Sequence, residues 1–136
     1  MGQPRIIYAD DDFDDQTIFQ QAFAELGHSD VIAVLNDGIS VINYLVKTDP
    51  RLITLIILDL NMPLLNGAET LAILKNDFRH MHIPVVIFST STAEKDEKIC
   101  LDFGACEFIS KPALYSDYLK ICKKFYDVSQ RIVVTS

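Results

Sequence analysis

No uninterrupted apolar stretch in the chain approaches the ~20 residues that a membrane-spanning helix needs, so membrane insertion is not expected. Cysteine is scarce. Cys100, Cys106 and Cys122 are odd in number and show no Cys-x-x-Cys spacing, which argues against a disulfide framework and against a zinc site. Buried thiols are expected instead. Positive charge is short as well: 12 Lys and Arg face 19 Asp and Glu, a net charge of -7. That balance disfavours unaided binding to nucleic acid or to an anionic membrane, and it suits a partner with a basic patch. Repeats, low-complexity tracts and internal linkers are absent. Only Met1-Gly2-Gln3-Pro4 precedes the first strand pattern, too little for the apolar core of a signal peptide. Ile6 stands where a myristoylation signal wants Ser or Thr. A cytoplasmic protein is expected.

What the chain does have is alternation between short apolar runs and helical periodicity. Its 136 residues suit one domain, long enough to bury roughly two-thirds of its unfolded surface. Strands are predicted at 5–9, 31–35, 52–59, 85–88 and 106–109. The helix predicted over 13–26 places Ile18, Phe19, Ala22, Phe23 and Leu26 on one face, with Gly27 as its stop. Further helices are predicted over 39–47, from Asn66-Gly67 to Phe78, from a Ser91 or Thr92 cap to Phe103-Gly104, and from Ala113 to about residue 127. Lys120, Lys123 and Lys124 would complement the dipole at the end of that last helix. Residues 128–136 are expected to form a short tail after a core of 5–127, its Ile132-Val133-Val134 packing on the body or on a second protomer. Five strands alternating with five helices imply a doubly wound α/β fold, a parallel sheet with helices on both faces. Ligands of such sheets bind beyond the carboxyl ends of the strands.

Those ends carry the chemistry. Asp59 closes the apolar run Leu52-Ile53-Thr54-Leu55-Ile56-Ile57-Leu58, where a carboxylate is costly unless a cation or hydrogen bonds compensate it. Asp10 and Asp11 end the first strand. Asp12 reads as a helix cap, and Asp14 and Asp15 as solvated charges near a positive helix end. Two like charges ~4 Å apart repel by about 4 kcal/mol at an effective dielectric of 20. Three carboxylates meeting at one edge must therefore take up protons or a cation. An oxygen-only cluster favours Mg²⁺, Mn²⁺ or Ca²⁺ over zinc.

The segments IIYADDD, LIILDLNMPLLNG, IPVVIFSTS and GACEFISKP, in this order and spacing, resemble the receiver domain of two-component response regulators over residues 5–127. The resemblance implies a flavodoxin-like strand order 2-1-3-4-5 and a stand-alone, single-domain regulator. It implies that Asp59 accepts a phosphoryl group from a phosphohistidine of a histidine kinase or phosphotransfer protein. Asp10, Asp11 and Asp59, with the backbone carbonyl of Asn61, would hold Mg²⁺, or Mn²⁺ in its place. Ser89 stands for the hydroxyl that meets the phosphoryl group, Lys111 for its pairing lysine, and Phe108 for the switch aromatic. Phosphorylation would alter binding to a downstream protein target, and a homodimer through the fourth and fifth helices is a further expectation. No enzymatic activity is implied beyond the chain's own aspartyl phosphorylation and dephosphorylation.

The chemistry stands without the resemblance. An acidic pocket alone repels phosphate; Mg²⁺ and Lys111 reverse that sign, and a carboxylate nucleophile gives an acyl phosphate. A cis bond at Lys111-Pro112 would aim the lysine inward. Asp12-Phe13 departs from the Asn-Pro common in the family, and capping is the favoured reason. His80-Met81-His82 reads as a surface loop without a third metal ligand, and His28 as a charge near a helix end. An Asp-nucleophile phosphatase is the first rival, weakened because Asn61 replaces the second carboxylate of a DxD pair. An FMN carrier is the second, weakened by a Ser89-Thr90-Ser91-Thr92 loop without glycine. A receiver-like module that is never phosphorylated is the third, opposed by Asp59 and Lys111.

Overall fold

In a computed structural model of the chain, residues 4–134 are described, with side chains described for 4–130. Strands β1 (Ile6–Ala9), β2 (Ile32–Leu35), β3 (Leu55–Leu58), β4 (Val85–Ser89) and β5 (Glu107–Ser110) form one parallel sheet in the order β2-β1-β3-β4-β5. Helices α1 (Phe13–Glu25), α2 (Gly38–Val46), α3 (Gly67–Lys75) and α4 (Glu94–Asp102) make the crossovers, and α5 (Tyr115–Val134) follows the last strand. The doubly wound reading and its strand order are borne out.

Period-two alternation sends neighbouring strand residues to opposite faces. On one face Ile7, Ile56, Leu58, Val85 and Ile87 pack with Val41 and Leu45 of α2, Leu71 and Leu74 of α3 and Cys100 of α4. On the other, Ile6, Tyr8, Leu55, Ile57 and Phe88 pack with Phe19 and Phe23 of α1 and with Tyr118, Cys122 and Phe125 of α5. β1, β3 and β4 are buried along their whole length. That is why their sequences read as continuous apolar runs rather than alternating ones.

Several boundaries differ from the sequence reading. Strand β3 starts only at Leu55, because Pro50–Leu52 forms a 3₁₀ turn capped by the Asp49 side chain. Helix α3 ends at Lys75, before Phe78. The N-cap of α4 is Ala93, with no side-chain cap. Ser91 Oγ instead accepts from the Ala93 amide at 3.3 Å and donates to the Asp96 carboxylate at 2.8 Å. Helix α5 runs to Val134, so the expected tail from residue 128 continues the helix. The side chains of Ile132, Val133 and Val134 lie outside the described residues. Lys120, Lys123 and Lys124 are therefore mid-helix, and Lys123 and Lys124 pair with Asp127 and Glu107 at 3.2 and 3.1 Å. Cys100 and Cys122 are buried as expected, but Cys106 is exposed, one position before β5 begins. His80 is not a surface residue: it is buried, with Nδ1 3.3 Å from Asp77. His28 stacks on Tyr126, ring centroids 3.6 Å apart.

Candidate phosphoacceptor site

Ladder hydrogen bonds continue past the strand ends and fix the backbone of the candidate site. The Asp59 amide donates to the Ala9 carbonyl at 2.9 Å, the Asp10 amide to Leu35 at 3.1 Å, and the Lys111 amide to Ser89 at 2.8 Å. Asp10, Asp59, Ser89 and Lys111 thus emerge together at the carboxyl edge. The start of α3 lies hard against the end of β3, because a Cβ on Gly67 would come within 2.3 Å of the Asp59 carbonyl oxygen. Asn66 and Glu69 close that helix end with a capping box. In the loop between β3 and α3, Leu64 turns the chain at a positive φ of 67°, a strained angle for a branched side chain.

Asp10 is fully buried and fully engaged. Its Oδ1 accepts from the Asp12 amide at 2.9 Å, and its Oδ2 from the Tyr8 hydroxyl at 2.6 Å and from Lys111 Nζ at 2.5 Å. Asp11 is exposed at the rim. Carboxylate oxygens of Asp10, Asp11 and Asp59 all lie within 4.8 Å of one another. One of the three is fully buried and another nearly so, a donor set that fits a hard divalent cation. Asp12 caps α1 as expected, accepting from the Asp15 amide at 3.1 Å.

Asp59 Oδ1 accepts from the Leu60 amide at 2.8 Å, and Oδ2 lies 3.7 Å from Lys111 Nζ. Burial pushes its carboxyl up to about 6, with the charge of Asp10 adding to the rise. Lys111, the Ser89 hydroxyl and the Leu60 amide pull the other way. Burial also works to lower Lys111, but its hydrogen bonds to Asp10 and Asp15 and the charges of Asp59 and Asp10 outweigh it, and the net shift is upward. Ser89 is fully buried, its Oγ accepting from the Ser91 amide at 3.3 Å. Phe108 is half-buried and packs on the core that faces α2, α3 and α4. Asn61 lies exposed in the loop after β3.

One expectation fails. Among the described residues there is no cis peptide bond, so Lys111-Pro112 is trans, the isomer favoured by about 0.5–1 kcal/mol even before proline. The lysine backbone is placed by the hydrogen bond from its amide to the Ser89 carbonyl, and its side chain is held by Asp10 and Asp15. Three participants were missed. Asp15 is not a solvated charge: its Oδ2 lies 2.9 Å from Lys111 Nζ. Gln16 Nε2 donates to the Asp10 carbonyl at 2.5 Å and to Asn36 at 2.8 Å. Tyr8 supplies the hydroxyl on Asp10. The signals were present. Tyr8 and Asp10 share a strand face by period two, and Asp15 stands four residues before Phe19, on the stripe of α1 that faces the sheet.

A family model described as the response regulator receiver domain matches residues 6–123. A probable methanogenesis regulatory protein, FilR2 of Methanothrix harundinacea, is 29% identical over 118 residues, 82% of this chain and 74% of that protein. The two-component response regulator ORR5 of Oryza sativa subsp. japonica is 35% identical over 80 residues, 59% of each chain. A protein-glutamate methylesterase/protein-glutamine glutaminase of Treponema denticola is 49% identical over 61 residues, but the match spans only 16% of that protein. Among solved structures, the phosphorylated cyanobacterial phytochrome response regulator RcpA superposes with a TM-score of 0.78 at 30% identity, covering 90% of this chain and 91% of that one. The Mn²⁺-bound response regulator Rcp1 gives 0.74 at 26%, covering 89% and 91%. With its strand order, its acidic edge and its buried lysine, the chain belongs to the family of response regulator receiver domains.

Proposed function

We propose that Asp59 is the phosphoacceptor of a two-component relay, and that its phosphorylation switches binding to a downstream protein. The observation that carries this reading is the setting of its carboxylate: at the end of a buried strand, with two further carboxylates and one buried ammonium around it. The Leu60 amide occupies Oδ1, so Oδ2 is the freer nucleophile. Oδ2 attacks the phosphorus of a phosphohistidine presented by a histidine kinase or phosphotransfer protein. The new O–P bond forms as the P–N bond breaks, and the imidazole nitrogen leaves with the electron pair. Asp10, Asp11 and Asp59, with the backbone carbonyl of Asn61, would hold Mg²⁺ or Mn²⁺, which when bound neutralises charge on the phosphoryl oxygens. Lys111 pairs with the same oxygens, and the Ser89 hydroxyl donates to them. Movement of Ser89 releases Phe108 to turn inward, which alters the surface of α4, β5 and α5 and with it partner binding, including self-association through α4 and α5. The chain's chemistry ends with formation and hydrolysis of its own acyl phosphate.

Labelling with a small phosphodonor, or with beryllofluoride as the phosphoryl mimic, tests the acceptor role. The native chain should label in Mg²⁺ and not in chelator, and Asp59→Asn should not label in either. Equal labelling of the two proteins overturns the assignment.

A further inference from the structure

We propose that Asp15 is a positioning residue for Lys111, and that its charge strengthens the hold on a divalent cation while opposing the phosphorylated state. This rests on the reading of Asp59 as acceptor. The Lys111 side chain is only 5% exposed, and its Nζ lies 2.5 Å from Asp10 Oδ2, 2.9 Å from Asp15 Oδ2 and 3.7 Å from Asp59 Oδ2. An ammonium has three N–H donors. Two are spent on Asp10 and Asp15, toward the β1–α1 side, and Asp59 stands beyond hydrogen-bond range. The lysine is thus held back from the group it is expected to serve.

Asp15 is a fixed anion, not a mobile one. Its side chain is 29% exposed. Its amide is tied to the Asp12 cap, in the first turn of α1 where the helix dipole favours negative charge. Four residues on, Phe19 stacks against Tyr8 with ring centroids 3.9 Å apart. That stack fixes which side of α1 faces the sheet, and Asp15 lies on that side. Asp10, Asp15 and Asp59 therefore face one ammonium, and Asp11 adds a fourth carboxylate beside those of Asp10 and Asp59. A dication relieves this excess, so each carboxylate in the set favours the ion. A phosphoryl dianion on Asp59 restores part of the excess, so the carboxylate that takes no share of the ion works against it.

The two effects have opposite signs, and replacement of Asp15 separates them from simple damage. In Asp15→Asn, Mg²⁺ affinity measured by calorimetry should fall about three- to tenfold, the scale of one partly screened unit charge at this range. The half-life of the acyl phosphate formed from a small phosphodonor should lengthen by a similar factor. Asp15→Glu should restore native Mg²⁺ affinity. Asp14→Asn removes the same charge from an exposed neighbour and should move neither quantity more than about twofold. If Asp15→Asn behaves as Asp14→Asn does, or if cation affinity and acyl-phosphate lifetime fall together, the proposal is wrong. Labelling of Asp59→Asn to the native level would instead remove the acceptor reading, and this proposal with it.

Discussion

Replacing Asp59 by asparagine should make the metal-free protein more stable. Asp59 ionises near 3.8 in an unfolded chain but at about 6 in the fold, chiefly because it is buried. The folded state therefore binds this proton more tightly than the unfolded state. The ionised carboxylate costs stability in full above about pH 6, and that cost disappears as the pH falls toward the unfolded value. A shift of this size corresponds to about 3 kcal/mol at most. The pocket opens at the exposed Asp11, so solvent screening reduces it to about 1–2 kcal/mol. Asparagine keeps the shape and the acceptor for the Leu60 amide. Lys111 loses only its longest contact, since Asp10 and Asp15 still hold it at 2.5 and 2.9 Å.

Urea unfolding followed by circular dichroism, in chelator at about pH 7.5, should thus favour Asp59→Asn by about 1–2 kcal/mol, or roughly 3–8 °C in Tm. The advantage should fade as the pH falls through 6. Millimolar Mg²⁺ should reverse it, because an ion bound to the folded state adds stability and the variant has lost one of its carboxylates. A variant no more stable than the native chain in chelator, or an advantage that does not change between about pH 7.5 and pH 4.5, would refute the argument that burial and charge crowding set the state of Asp59.

Tyr8→Phe removes the hydroxyl that donates to Asp10 at 2.6 Å. It should cost about 1–2 kcal/mol in chelator, and a smaller loss in Mg²⁺ is expected once an ion compensates Asp10; paired urea melts check both. Gly67→Ala would drive a methyl to within 2.3 Å of the Asp59 carbonyl oxygen. It should cost at least about 2 kcal/mol and lower beryllofluoride labelling even where the protein remains folded, since the end of β3 must shift. Native-level labelling and an unchanged melt for Gly67→Ala would show that α3 is free to retreat.

The fold was legible because each local signal agreed with the others: apolar runs for β1, β3 and β4, a stripe through Phe19 and Phe23, and Gly67 at a helix start. Boundaries were less legible. Ala93 caps α4 although Ser91 and Thr92 are better capping residues, because Ser91 is drawn to Asp96, a tertiary choice that no propensity records. Of the site, Asp10, Asp59, Ser89 and Lys111 follow from one rule, that functional groups gather at the carboxyl edge of a parallel sheet. Asp15 escapes that rule because it belongs to a helix, and its acidic neighbours and helix dipole supply a sufficient local reason for its charge. Only the side to which the helix turns decides between a solvated carboxylate and one set against a buried lysine. That side is fixed by Phe19 stacking on Tyr8, and Tyr8 in turn donates to Asp10. Tyr8 and Phe19 therefore couple core packing on one face of the sheet to the placement of charge at its edge, so a change at either should be read in stability and in cation affinity together.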